Sequence, residues 1–309
     1  MPMPHRTFAQ VAKRRLRGKE GSERVRAINA LMAELPDYRN GPYADLRKWL
    51  QGELTQTRAR AKVVHRDSLA VRREGAAQIG LVGAPNAGKS SLLQALSEIQ
   101  IKTGDYPFTT LRPVPALTRI RGVLVQLVEI PGLVEGAADG RGGGKALLGV
   151  LRNADAIVFC QAVTADPTEL RTVHGELAAA GIEKPALLAA TKLDEAATGD
   201  LERLAAAFPD LPLVGVSVLD EASLDAFRAA MWGLTGLIRV FLRHGGEVED
   251  EPVALHPGAT IVDVADTIHH ELAAACRGAH VWGPSARFDG QRVGRDHELA
   301  DGDAVEVLR

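Results

Sequence analysis

Residues 83–90 read Gly83-Ala84-Pro85-Asn86-Ala87-Gly88-Lys89-Ser90, and this octapeptide constrains the chain more than any other stretch. A short apolar run, 78–82, leads into it, and a helical pattern carrying Leu92, Leu93 and Leu96 leaves it. A loop of the form G-x-x-x-x-G-K-[ST] between strand and helix is built to hold phosphate. Its glycines let successive backbone N–H groups curve around an anion without Cβ clashes. The helix that follows adds the positive end of its dipole. Lys89 can reach β- and γ-phosphates, and the Ser90 hydroxyl can ligate Mg²⁺.

The flanking pattern fixes the layer arrangement. Short apolar runs recur at 124–129, 156–160, 186–190 and 213–216, separated in the later part by helical stretches at 168–180, 200–208 and 221–232. Strand–helix alternation of this kind predicts an α/β fold with a mostly parallel sheet covered on both faces. Six glycines between 132 and 144 are too many for a packed element. After residue 235 the order changes: a strand at 237–242, an acidic loop, a helix at 263–275, then short strands at 279–282, near Arg287 and at 304–308. These spacings predict three parts, residues 1–75, 76–235 and 236–309.

Charge separates the first part from the rest. Residues 1–75 hold 17 Lys+Arg and 8 Asp+Glu, a net of +9, whereas residues 76–309 hold 20 and 31, a net of −11. Residues 1–21 carry Lys13, Arg14, Arg15, Arg17 and Lys19 with no helical period, which predicts a mobile arm. Ser22 can cap a helix bearing Val25, Ile28, Leu31, Met32 and Leu35, and a second helix from about Tyr43 carries Leu46, Trp49, Leu50 and Leu54. The expected result is a basic helical hairpin, which either contacts a polyanion or presents solvated faces. No apolar h-region marks a secretory signal and no run approaches membrane-span length, so no membrane partner is expected. Cys160 and Cys276 form neither a disulfide framework nor a zinc site, and a reducing cytoplasm is the expected compartment.

The base is chosen elsewhere. Thr191-Lys192-Leu193-Asp194 follows an apolar strand, at the carboxyl edge where ligands bind in such sheets. Asp194 can accept from guanine N1–H and the 2-amino group, and the stem of Lys192 can cover the base. Tyr106-Pro107-Phe108-Thr109-Thr110-Leu111 offers hydroxyls for Mg²⁺ and the γ-phosphate. Glu129-Ile130-Pro131-Gly132 ends a strand, with a carboxylate for Mg²⁺ through water and a Gly132 N–H for the γ-phosphate.

Taken together, residues 83–90, 106–111, 129–132, the run Gly140-Arg141-Gly142-Gly143-Gly144 and residues 191–194 resemble the Obg-related GTPases. The resemblance is in particular to the developmentally regulated GTP-binding protein (DRG) branch. Leu237-Ile238-Arg239-Val240, Glu251-Pro252-Val253, His280-Val281-Trp282-Gly283 and Gln291-Arg292-Val293-Gly294 look like that branch's C-terminal TGS domain, a β-grasp module. The resemblance implies a P-loop GTPase domain binding and hydrolysing GTP with Mg²⁺, with the ribosome or RNA as partner; the acidic balance of residues 252–309, 5 Lys+Arg against 9 Asp+Glu, makes a protein partner the expectation for the TGS domain. The resemblance makes Lys89, Thr110 and Gly132 the catalytic group. It places nucleotide on Gly83, Ala84, Pro85, Asn86, Ala87, Gly88, Lys89, Ser90, Ser91, Phe108, Thr109, Thr110, Glu129, Gly132, Thr191, Lys192, Asp194, Ser217 and Val218. Mg²⁺ would fall on Ser90 and Thr110, and on Glu129 through water. Asn86 stands where potassium-dependent relatives place a cation ligand, so it either holds K⁺ or only shapes the turn.

Three departures from the family pattern stand out. Glu129 replaces the usual Asp, Thr191 the usual Asn, and the domain that DRG relatives insert between the third and fourth motifs is absent. Leu133 stands where Ras-like enzymes orient water with Gln. Two other readings follow: a guanine-nucleotide-binding adaptor with little or no hydrolysis, and, ranked last, an ATPase.

Overall fold

A computed structural model describes residues 5–16, 19, 21–35, 41–67, 71–100, 112–133 and 135–309. The chain divides into two compact units, residues 1–70 and 71–309.

The first unit has helices α1 (His5–Leu16), α2 (Gly21–Glu34) and α3 (Pro42–Asp67). The expected unstructured arm is therefore corrected over residues 5–16. Phe8, Ala12 and Leu16 recur every four residues, form one apolar stripe, and are buried with Ile28, Leu31, Leu35 and Leu50. The arginine cluster on the other faces hid that stripe. Helix α2 starts at Gly21, so Ser22 lies inside it rather than capping it. Part of the basic surplus is spent internally. Arg24 binds Glu53 at 2.6 Å and the Leu16 carbonyl at 2.9 Å, tying all three helices, and Arg15 pairs with Glu34 at 2.8 Å.

The second unit begins with a seven-stranded sheet in the order β2-β3-β4-β1-β5-β6-β7. Its strands are β1 (Ala77–Val82), β2 (Ile99–Gln100), β3 (Val114–Ile120), β4 (Val123–Glu129), β5 (Ala156–Ala162), β6 (Ala186–Thr191) and β7 (Leu213–Val216). Helices α4 (Lys89–Leu96), α5 (Gly144–Asn153), α6 (Thr168–Ala179), α7 (Asp200–Ala207) and α8 (Glu221–Thr235) connect them. Strands β4, β1, β5, β6 and β7 are parallel neighbours, and every residue of β1 and β5 is buried. Apolar clusters fill both faces, as expected for such a sheet. Strands β2 and β3 and helix α5 had no counterpart in the sequence pattern. Strand β3 pairs antiparallel with β4 across Arg121-Gly122, whose φ angles of 50° and 88° are those of a two-residue hairpin turn.

The rest forms a mixed sheet, β10-β8-β13-β11-β12, from β8 (Ile238–His244), β9 (Glu247–Val248, paired with β8), β10 (Val253–Leu255), β11 (Gly278–Trp282), β12 (Gln291–Val293) and β13 (Asp303–Leu308). Ile261, Val264 and Ala265 of helix α9 (Ile261–Ile268) pack on Val240, Val281 and Val305, the arrangement of a β-grasp. Asp263 Oδ2 accepts from the Thr260 N–H at 2.7 Å and hydroxyl at 2.8 Å, closing a capping box. Two expectations are corrected here. The helix predicted over 263–275 is two helices, α9 and α10 (His270–Ala275), broken at an extended His269. No strand forms near Arg287; the chain turns there and pairs at Gln291–Val293 instead.

The two sheets meet closely. Leu237 is buried in one cluster with Ile120, Val123 and Trp232, and Ala254 packs against it. Arg119 binds Glu251 at 2.9 Å, and a Cβ on Gly122 would lie 2.7 Å from Pro252 Cδ.

Candidate nucleotide-binding site

The site lies where β1, β4, β5 and β6 end. Chain direction reverses between β1 and α4 through Gly83, Asn86 (φ 61°) and Gly88 (φ 79°). Lys89 opens α4 but is buried, and its Nζ donates to the carbonyls of Gly83 at 2.9 Å and Ala84 at 2.7 Å. Burial pulls its pKa down, against the pull of Cys160 and the Glu129 carboxylate. The ammonium is thus folded onto the loop that would hold phosphate.

Ser90 and Glu129, expected at a common cation, are brought together: the Ser90 hydroxyl donates to Glu129 Oε1 at 2.6 Å. Strand β4 carries Glu129 to this point, and the pairing continues one residue further as the Ile130 N–H donates to the Leu81 carbonyl. Gly132 then passes beside the loop, where a Cβ would meet Pro85 Cδ at 3.4 Å. Ser91 lies exposed on the first turn of α4.

Thr191 ends β6. It is buried, and its hydroxyl donates to the Ala87 carbonyl at 2.8 Å, tying β6 to the phosphate loop. Thr191→Val keeps the shape and removes that donor. It is expected to cost about 1–3 kcal/mol, because the Ala87 carbonyl loses its buried partner; urea unfolding reads the loss.

Beyond it, the Ser217 hydroxyl donates to Asp194 Oδ1 at 2.5 Å and accepts the Leu219 N–H at 3.1 Å. The Ser217 N–H donates to Ser223 Oγ at 3.0 Å. This network fixes the Asp194 carboxylate, and among the described residues Oδ2 has no hydrogen bond. Lys192 has φ 56° and is half-exposed beside it. Val218 is 42 % exposed. Phe108, Thr109 and Thr110 lie outside the described residues, as does the rest of 106–111.

A cavity of about 510 Å³ adjoins the loop, lined by Pro85, Asn86, Gln161, Asp166, Thr168 and Lys192 among others. Gln161, Asp166 and Thr168 had not been singled out; the signal available was their place at the end of, or just after, an apolar strand whose neighbours bear the site. Gln161 is 2 % exposed, donates from Nε2 to the Asp166 carbonyl at 3.1 Å, and leaves Oε1 unpaired among the described residues. The glycine-rich stretch 132–144 also departs from expectation. Leu133 and Ala137 are buried among Val82, Leu148 and Phe159, and a short helical turn at Arg141–Gly143 runs into α5. From Glu135 to Thr191 the chain passes directly through α5, β5, α6 and β6.

Comparison with known proteins adds to this geometry. Residues 78–192 match the family described as 50S ribosome-binding GTPase, and residues 238–309 match the TGS domain. An uncharacterised GTP-binding protein of Halobacterium salinarum is 31 % identical, covering 77 % of this chain and 85 % of its own length. That alignment spans 314 positions, more than this chain contains, so the relative carries residues with no counterpart here. The developmentally-regulated GTP-binding protein 2 homolog of Dictyostelium discoideum is 26 % identical over 79 % of this chain and 85 % of its own. A crystal structure of a GTP-binding protein from Pyrococcus horikoshii aligns with a TM-score of 0.44 at 17 % identity, over 75 % of this chain and 99 % of its own. With a GTPase domain, a TGS domain and relatives that span most of its length, the chain belongs to the DRG-like family of GTP-binding proteins.

Proposed function

We propose that the chain is a regulatory GTPase that binds GTP with Mg²⁺, converts it slowly to GDP and acts on ribosomes or RNA. The observation that carries the nucleotide part is the fixed Asp194–Ser217 pair beside a loop whose lysine is already folded inward. Mg²⁺ prefers hard oxygen donors, and the Ser90 hydroxyl and Glu129 carboxylate, 2.6 Å apart, fit it. Ser90 would hold the ion directly, Glu129 through water, and Thr110 would add a second hydroxyl. When bound, Mg²⁺ neutralises charge that develops between the β- and γ-phosphates. Glu129 is one methylene longer than the usual Asp, and its carboxylate reaches Ser90.

Slow turnover follows from Leu133. Its side chain is 7 % exposed and packed in the core, so nothing at that position can orient an attacking water. Positioning then falls to the backbone, to Lys89 and to the metal. Asn86, exposed with φ 61°, is the candidate ligand for K⁺. Leu133 also favours the adaptor reading, in which hydrolysis is negligible. Single-turnover hydrolysis in K⁺ and in Na⁺ separates the two: measurable GDP formation, faster in K⁺, is expected, and none in either salt leaves the adaptor.

The ribosome or RNA part rests on the ribosome-binding description of the matched family and on the basic first unit. Residues 252–309 hold 5 Lys+Arg against 9 Asp+Glu, which suits a protein partner better than a polyphosphate backbone. No described helix is long and apolar enough to cross a membrane. A cytoplasmic setting accords with two buried free cysteines. Co-sedimentation with ribosomes is expected to be stronger with a non-hydrolysable GTP analogue than with GDP, and to weaken with salt. Equal sedimentation in both states, or none, would sink the proposal.

A further inference from the structure

We propose that Glu176 is a positioning residue for the segment after the third motif, seating its carboxylate in the backbone N–H groups of Gly136 and Ala138 and so holding Gly132 against the phosphate loop. The role of Gly132 rests on the function proposed above; the latch itself does not. Glu176 lies on α6, and its Oε1 accepts the Gly136 N–H at 2.7 Å while Oε2 accepts the Ala138 N–H at 2.8 Å. Both are charge-assisted bonds of the stronger kind. They hold the carboxyl below the ordinary glutamate range, with the Arg141 charge adding to them.

Everything around these two bonds is closely fitted. Gly136 has φ 84°, and its carbonyl accepts the N–H groups of Asp139 at 3.1 Å and Arg141 at 3.0 Å. Ala137, between the two latched amides, is fully buried. Helix α5 starts directly on it: a Cβ on Gly144 would overlap the Ala137 backbone and lie 2.6 Å from its Cβ. Leu133, one residue past Gly132, is buried in the same cluster as Ala137. Gly132 therefore stands between the phosphate loop at Pro85 and a stretch fixed by Glu176. Movement of 136–138 must break two charge-assisted bonds and lift Ala137 out of the core. Helix α6 is itself firm, with Leu170, Val173 and Leu177 buried on its inner face.

The consequence is selective. Under the proposed function Gly132 meets the γ-phosphate, which GDP lacks, so loosening its support should cost GTP binding and spare GDP. In the nucleotide-free protein, hydrogen exchange of the 135–141 peptide is expected to be about tenfold faster in Glu176→Ala than in the wild type, as two bonds to a charged group are lost. The same variant is expected to bind a non-hydrolysable GTP analogue about tenfold more weakly and GDP within about twofold of the wild type. Glu176→Gln keeps one acceptor oxygen and should fall between the two. Unchanged exchange at 135–141 would overturn the latch; faster exchange with parallel losses for GDP and the GTP analogue would overturn its coupling to Gly132. Exchange is read without nucleotide, so it decides the latch even if the wild type binds no guanine nucleotide, a result that would strike the proposed function instead.

Discussion

Asp194→Asn is expected to lower the affinity for GTP by about two orders of magnitude and to leave the fold intact. A carboxylate can accept from both guanine N1–H and the 2-amino group, and each hydrogen bond to a charged group contributes about 1.5–3 kcal/mol. An asparagine offers one acceptor oxygen and places an amide donor where the base also donates. The Ser217 hydroxyl, 2.5 Å from Asp194 Oδ1, keeps an acceptor in the variant, and the side chain is exposed, so stability should move by less than about 0.5 kcal/mol. Xanthosine triphosphate, which carries an oxygen in place of the 2-amino group, should gain affinity in the variant. Competition of the two nucleotides against a fluorescent analogue measures both changes. A variant that bound GTP as the wild type does would remove Asp194 from the site.

The second large effect concerns folding. Gly83→Ala is expected to cost more than about 4 kcal/mol and to leave little folded protein at growth temperature. Gly83 has φ 156°, and a Cβ there would overlap the Cys160 carbonyl oxygen and lie 3.4 Å from Ala87 Cβ. Its obstacle is backbone in β5, which pairs in parallel with β1 along residues 79–82. Strand β5 is buried throughout, Cys160 included, where burial pushes the thiol up to about 12. Relief would require separating two central strands. Thermal unfolding and the yield of soluble protein report the loss; a melting temperature within a few degrees of the wild type would contradict it.

The elements that could be read from sequence are those whose burial and period agree. Strands β1, β5 and β6 are buried on both faces and are apolar apart from Gln78, Gln161 and Thr191, and α4 begins at the Lys89 that the motif requires. Strand β3 escaped because Pro115, Thr118 and Arg119 interrupt its apolar residues; Pro115 and Thr118 are nevertheless buried, as partners of β4. Helix α1 escaped because its charge was louder than its stripe. The break at His269 was invisible for the opposite reason: Val264, Ile268, Leu272 and Ala275 keep helical spacing through it, while the His269 side chain accepts the Glu271 N–H and starts a new helix. Of the site, the phosphate loop and the third and fourth motifs show as local patterns, while Ser217 entered only through the family resemblance. Glu176 and Gln161 were not, since their significance comes from contacts 38 to 40 residues away for Glu176 and from a missing partner for Gln161.

The seam between the two sheets changes what counts as a piece of this molecule. Leu237 and Ala254 come from the β-grasp side, yet they finish the cluster that Ile120, Val123 and Trp232 begin. A cut at residue 235 would not release two finished modules; it would strip the cladding from a wall and expose its apolar face to water. The hairpin turn at Arg121-Gly122, set against Pro252 and flanked by the Arg119–Glu251 pair, lies at the far end of the strand that carries Glu129 to the site. In this chain the C-terminal sheet is therefore masonry for the nucleotide-binding sheet as well as a surface of its own.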